Sequence, residues 1–238
     1  MKYPIESTDW HYAPGAKRTQ TDDSLTGHGS CVASKAAGAR SGVAKDSRLI
    51  VIKATLHVAD ISWALVKARD DIRANDRQTK SVVLVPATAR DPYYPGQELQ
   101  QPWSRVRELM QELMDSDAVI VVPSGNEVKR SRDVDLLPAL WESPAFPIIV
   151  AGSVDNDGVT APFSQGPSHV TAYAPGARIQ CALGSGYGSG LNEGTTFSAG
   201  MVSLPMSPWV FVKSGLILWC RSPVSWPTFL DLTNGVLT

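Results

Sequence analysis

The stretch LIVIKATLHVADISWALVKARDDIRANDRQTKSVVLVP, residues 49–86, decides the fold class. It opens with Leu49-Ile50-Val51-Ile52-Lys53, a β-branched run of the kind that forms a buried strand. Ile61, Ala64, Leu65, Ala68 and Ile72 then recur at three- and four-residue steps, which places them on one face of a helix. Val82-Val83-Leu84-Val85 reads as a second strand, stopped by Pro86, whose nitrogen carries no hydrogen to donate. Working outward, Val106, Leu109, Met110 and Leu113 mark another helix, and residues 118–122 and 147–150 two more strands. Upstream, the small residues of GHGSCVASKAAG, 27–38, suit a tightly packed helix. Strands that alternate with helices need crossover connections, so the expected fold is α/β: a mostly parallel sheet with helices on both faces.

The two ends break this pattern. Residues 1–25 are polar and rich in turn formers, and predict an irregular arm with no strand. Beyond Val202, Pro205, Pro208, Pro223 and Pro227 punctuate a Trp- and aliphatic-rich tail, 205–238, through which no long helix can run. Between these ends, residues 26–204 form the expected domain, with one core for a chain of 238 residues. GSGYGSG, 184–190, matches neither a phosphate-binding loop nor a nucleophile elbow, and reads as a flexible loop.

Charge narrows the partners. The 22 Lys and Arg against 23 Asp and Glu give a net charge of -1 with no long basic run, so neither nucleic acid nor a membrane surface is expected as a partner. The most apolar run, Trp209 to Cys220, is broken by Lys213 and Gly215 and is about half the length of a membrane span. The residues from Met1 to Ser7 do not resemble a signal peptide, and the compartment is left open. Cys31, Cys181 and Cys220 are odd in number and widely spaced, and read as buried free thiols.

Three short motifs carry chemistry. Gly27-His28-Gly29-Ser30 is followed by Val32-Ala33; Val121-Val122-Pro123-Ser124-Gly125-Asn126-Glu127 ends an apolar strand; Gly194-Thr195-Thr196-Phe197-Ser198-Ala199 stands where a helix would begin. In this order they resemble the histidine, Gly-Asn and nucleophile motifs of the subtilisin-like (peptidase S8) serine proteases. Ile148 to Val154 with Phe163-Ser164, and Ala174-Pro175-Gly176, extend the resemblance over residues 26–202. It implies an incomplete subtilisin-like fold, and peptide-bond hydrolysis through an acyl-enzyme by a monomer. On that resemblance His28 takes the general base position, Thr196 the nucleophile position and Asn126 the oxyanion position. Val85, Pro86, Ala87 and Thr88 lie in the segment that resembles the family's substrate-binding strand, so a peptide or protein is the expected substrate. No cofactor is implied, and no acidic loop is dense enough to assign a metal site.

The sequence also departs from the family's pattern. Threonine stands in place of serine at 196, and its β-methyl restricts χ1 and crowds the attacking oxygen. Ser198 lies about 200° around a helix from Thr196, facing away from a base aligned with it. No apolar strand ending in Asp precedes His28; Asp9, Asp22 and Asp23 fall in the polar arm and read as solvated charges. Gly200 takes the position of a family proline, and Pro205 ends the nucleophile helix after about two turns. A truncated reading frame, with Met1 inside a longer ancestral one, fits both faulty ends. The expectation is therefore a weakened or inactive protease, with a non-catalytic peptide-binding remnant as the alternative. A different α/β hydrolase is disfavoured because no nucleophile elbow is present.

Overall fold

In the computed structural model, residues 9–24, 26–44, 47–90, 101–184, 188–203 and 209–211 are described. The β-branched runs form the strands expected of them. β1 (Trp10–Tyr12), β2 (Arg48–Lys53), β3 (Val82–Leu84), β5 (Val119–Pro123), β7 (Ile149–Val154), β8 (Ala172–Pro175) and β11 (Trp209–Phe211) make one sheet in the order β1-β2-β11-β3-β5-β7-β8. Every neighbouring pair in it is parallel. Two antiparallel pairs flank it: β4 (Ala89–Arg90) with β6 (Leu136–Leu137), and β9 (Ile179–Ala182) with β10 (Ser189–Asn192). The fold is subtilisin-like α/β.

Among the described residues four α-helices cover the sheet: α1 (His28–Ala37), α2 (Val58–Ala74), α3 (Gln101–Met114) and α4 (Thr195–Val202). The periodic positions of α2 (Ile61, Ala64, Leu65, Ala68, Ile72) and of α3 (Val106, Leu109, Met110, Leu113) are all buried. α2 packs on α3, and α1 on α4. Ile120, Val121 and Val122 of β5 are successive and all buried, so both faces of the central sheet are covered. Among the described residues no helix is long and apolar enough to cross a membrane.

Several expectations are corrected. The N-terminal arm is not free of strands: Trp10–Tyr12 pairs with residues 51–53 of β2. A three-residue strand is too short to show period-2 alternation, so only the partner reveals it. The proline-rich tail likewise supplies β11, which fills the slot between β2 and β3. Ser189 and Gly190, read as loop, lie in β10; residues 185–187 fall outside the described ones. The cysteines are not all free thiols. Cys31 of α1 and Cys181 of β9 form a disulfide across 150 residues of sequence, a pairing that spacing alone cannot reveal. Cys220 lies outside the described residues.

Candidate functional site

The carboxyl end of β5 and the amino ends of α1 and α4 meet at one place, and each is delivered by local chemistry. After Pro123 the chain turns sharply at Gly125, at φ 113°, where an added Cβ would lie 2.2 Å from Gln165 Oε1. Only glycine meets both demands, and the turn presents Asn126. Gly27, at φ 63°, starts α1, and a Cβ there would come within 2.3 Å of the Gly184 nitrogen. His28 is therefore the first residue of α1. Gly194 precedes α4, whose second residue is Thr196.

The three residues converge. His28 Nε2 lies 3.0 Å from Thr196 Oγ1, and the Phe197 ring sits 5.0 Å from the imidazole, centroid to centroid. Asn126 Oδ1 accepts from Thr195 N at 2.8 Å and from Thr195 Oγ1 at 3.0 Å. Thr195 Oγ1 in turn accepts from Gly125 N at 3.2 Å. This fixes which way the amide faces. Its Nδ2 lies 3.4 Å from the place a Gly194 Cβ would occupy, and Thr196 Oγ1 is also 3.4 Å from that place. A donor amide, a hydroxyl and an imidazole thus border one small volume.

Burial depresses the proton affinity of His28, and the charge of Asp22 works against that effect. The imidazole is accordingly neutral at neutral pH, the form able to accept a proton. Asp22 is not the solvated charge that its polar surroundings predict. It is 8% exposed, and its carboxylate accepts from Ser24 N and Ser24 Oγ through Oδ1 and from Ser30 N through Oδ2. Asp9 is buried as well, paired with Arg48 at 2.7 Å. Asp23 is the more open of the three and pairs with the buried Lys53 at 2.7 Å. Composition could not reveal these pairings, because Arg48 and Lys53 are distant in sequence and the turn that brings Ser24 and Ser30 to Asp22 has no period.

Val85, Pro86, Ala87 and Thr88 leave the carboxyl end of β3, the neighbour of β5, so they lie on the same sheet edge as Asn126. Val85 N donates to Val121 O, and Val85, Pro86 and Ala87 are buried while Thr88 is exposed. Ser198 is fully buried on the far side of α4, and its hydroxyl has no partner. A Cβ on Gly176 would lie 2.2 Å from its Oγ and 2.4 Å from Ser153 Oγ, so it faces away from His28, as the helical spacing predicts. Sequence reasoning placed Thr195 and Phe197 in the nucleophile motif without a role of their own and read Asp22 as a solvated charge. Thr195 alone carried a signal, as the hydroxyl residue between Gly194 and Thr196. Among the described residues no cluster of His, Cys, Asp and Glu is placed to hold a metal ion.

Comparison with known proteins bears on the fold and the family. Among solved structures, the prenylagaramide maturation protease PagA superposes with a TM-score of 0.56 at 19% identity over 82% of this chain and 65% of that one. A cold adapted subtilisin-like serine proteinase gives 0.55 at 19% identity, over 82% and 71%. At that identity the likeness is one of fold, and the chain spans about two thirds of their lengths. No curated protein matches the sequence. The profile of the Subtilase family, peptidase S8, matches residues 3–204, most of the chain, and the protein belongs to that family.

Proposed function

We propose that this site performs acyl transfer on peptide bonds, slowly, with Thr196 as nucleophile. The observation that carries the reading is the 3.0 Å separation of His28 Nε2 and Thr196 Oγ1 beside the Asn126 amide. His28 takes the hydroxyl proton as Thr196 Oγ1 attacks the scissile carbonyl carbon. The oxyanion accepts from Asn126 Nδ2 and from the Thr196 N–H, one of the donors that the first turn of α4 leaves without an intrahelical partner. His28 then protonates the leaving amine. Water, deprotonated by the same imidazole, hydrolyses the Thr196 ester. The substrate, a peptide or protein, lies extended along the edge that ends in Thr88, and the chain works as a monomer. Neither a metal nor a cofactor enters these steps.

Threonine makes the reaction slow. Its hydroxyl shares a carbon with a methyl group that limits approach, at a residue only 8% exposed. A fluorophosphonate probe tests the assignment. Thr196→Ser should label at least about tenfold faster than the native chain, since a misplaced nucleophile costs orders of magnitude. Failure of both forms to label would overturn it. A second reading, a peptide-binding remnant without catalysis, is favoured by the same burial and methyl group. Casein cleavage by the native chain, abolished in His28→Ala, would rule that reading out.

A further inference from the structure

The amino end of α1 has no cap of its own. Gly27 stands at the N-cap position and has no side chain to offer, so the first N–H groups of the helix need partners from elsewhere. They find them in the arm. Ser24 Oγ accepts from His28 N at 2.7 Å and donates to Asp22 Oδ1 at 2.7 Å. Asp22 Oδ2 accepts directly from Ser30 N at 2.6 Å. The backbone of Gly184 closes this arrangement on one side: a Cβ on Gly184 would lie 2.9 Å from Asp22 Cβ. A carboxylate accepting three hydrogen bonds in so enclosed a place is fixed in position, and it sits where the helix dipole favours negative charge.

We infer that Asp22 is a positioning residue for His28, resting on the acyl-transfer reading: through Ser24 and Ser30 it fixes the helix turn that carries the imidazole, and its charge stabilises the imidazolium formed when Thr196 loses its proton. It acts without touching the reacting atoms. The family's strand-borne acid has no counterpart before His28 in this chain, and Asp22 supplies part of what such a residue contributes, from the arm. Around His28 the structure sets Thr196 and Phe197 of α4, which carry no charge, and the Asp22 carboxylate of the arm.

The experiment separates charge from shape. In Asp22→Asn, the His28 proton affinity read by NMR titration should fall, and fluorophosphonate labelling of the Thr196→Ser form should slow about tenfold. Ser24→Ala removes the bridging hydroxyl but keeps the charge, so it should lower the melting temperature and leave the His28 titration in place. An unchanged titration in Asp22→Asn, or an equal fall in Ser24→Ala, overturns the inference. Should Asp22→Asn not fold, Asp22→Glu decides: it keeps the charge, so the His28 titration should stay in place, and a fall there overturns the inference. If Asp22→Asn lowers the His28 titration while no form labels, the positioning role stands and acyl transfer falls.

Discussion

The two halves of the sheet are built in different ways. β3, β5, β7 and β8 follow each other in sequence and space, and the three that pair at its centre are apolar runs buried almost throughout. On the other side, β2 is flanked by β1 and β11, three residues each, drawn from opposite ends of the chain. The first half presents Asn126 and receives α4. The second lies beside it and, through β11, depends on pairings that span more than half of the sequence. The strands around Asn126 are therefore set where local sequence is strong, while β1 and β11 complete the rest of the sheet.

The disulfide gives the largest expected effect on this comparison, because it ties α1 to β9 without help from the sheet. Closing 150 residues of chain constrains the unfolded state by about 5 kcal/mol in the chain-entropy treatment. Reduction should lower the melting temperature by many degrees, measured by calorimetry with and without reductant. A small change would mean that the tether contributes little.

Next comes the borrowed strand. Val210 pairs with Leu49 on one side and Val82 on the other, so Val210→Pro removes a ladder donor from mid-sheet, leaves its acceptor unpaired and should cost about 3 kcal/mol. Denaturant unfolding checks this. An unchanged midpoint would show that the second half does not need β11.

Within the stronger half, Thr195→Val keeps the shape but removes the hydroxyl that bonds Asn126 Oδ1 and Gly125 N. A loss of about 1 to 3 kcal/mol is expected. Labelling of the Thr196→Ser form should slow in parallel, since the amide loses its orientation. Full labelling with reduced stability would confine Thr195 to a structural role.

The smallest effect is a pH dependence, and each half holds one source of it. Burial lowers the proton affinity of His28 on α1 and of His11 on β1. Each takes up a proton more readily when unfolded, so stability is full above the unfolded value near pH 6.5 and falls as pH drops below it toward the folded values. His11→Gln should remove part of that acid-side slope and leave the part due to His28. A slope unchanged by the substitution would assign it elsewhere.

Much of this was legible in the residues. The strand and helix periods of β2, α2, β3, α3 and β5 are written locally, because burying one helix face or both strand faces demands a repeat in the sequence itself. The motifs around His28, Asn126 and Thr196 were legible for a related reason: glycines mark the turns that deliver them. Tertiary structure alone decided the roles of β1 and β11, the burial of Asp22 and the Cys31–Cys181 bond. The strands and the disulfide depend on a partner far away along the chain, and Asp22, bonded to Ser24 and Ser30, is enclosed by the distant Gly184. A three-residue strand or a single carboxylate has no period of its own to read, and only the completed fold supplies the neighbour that gives it meaning.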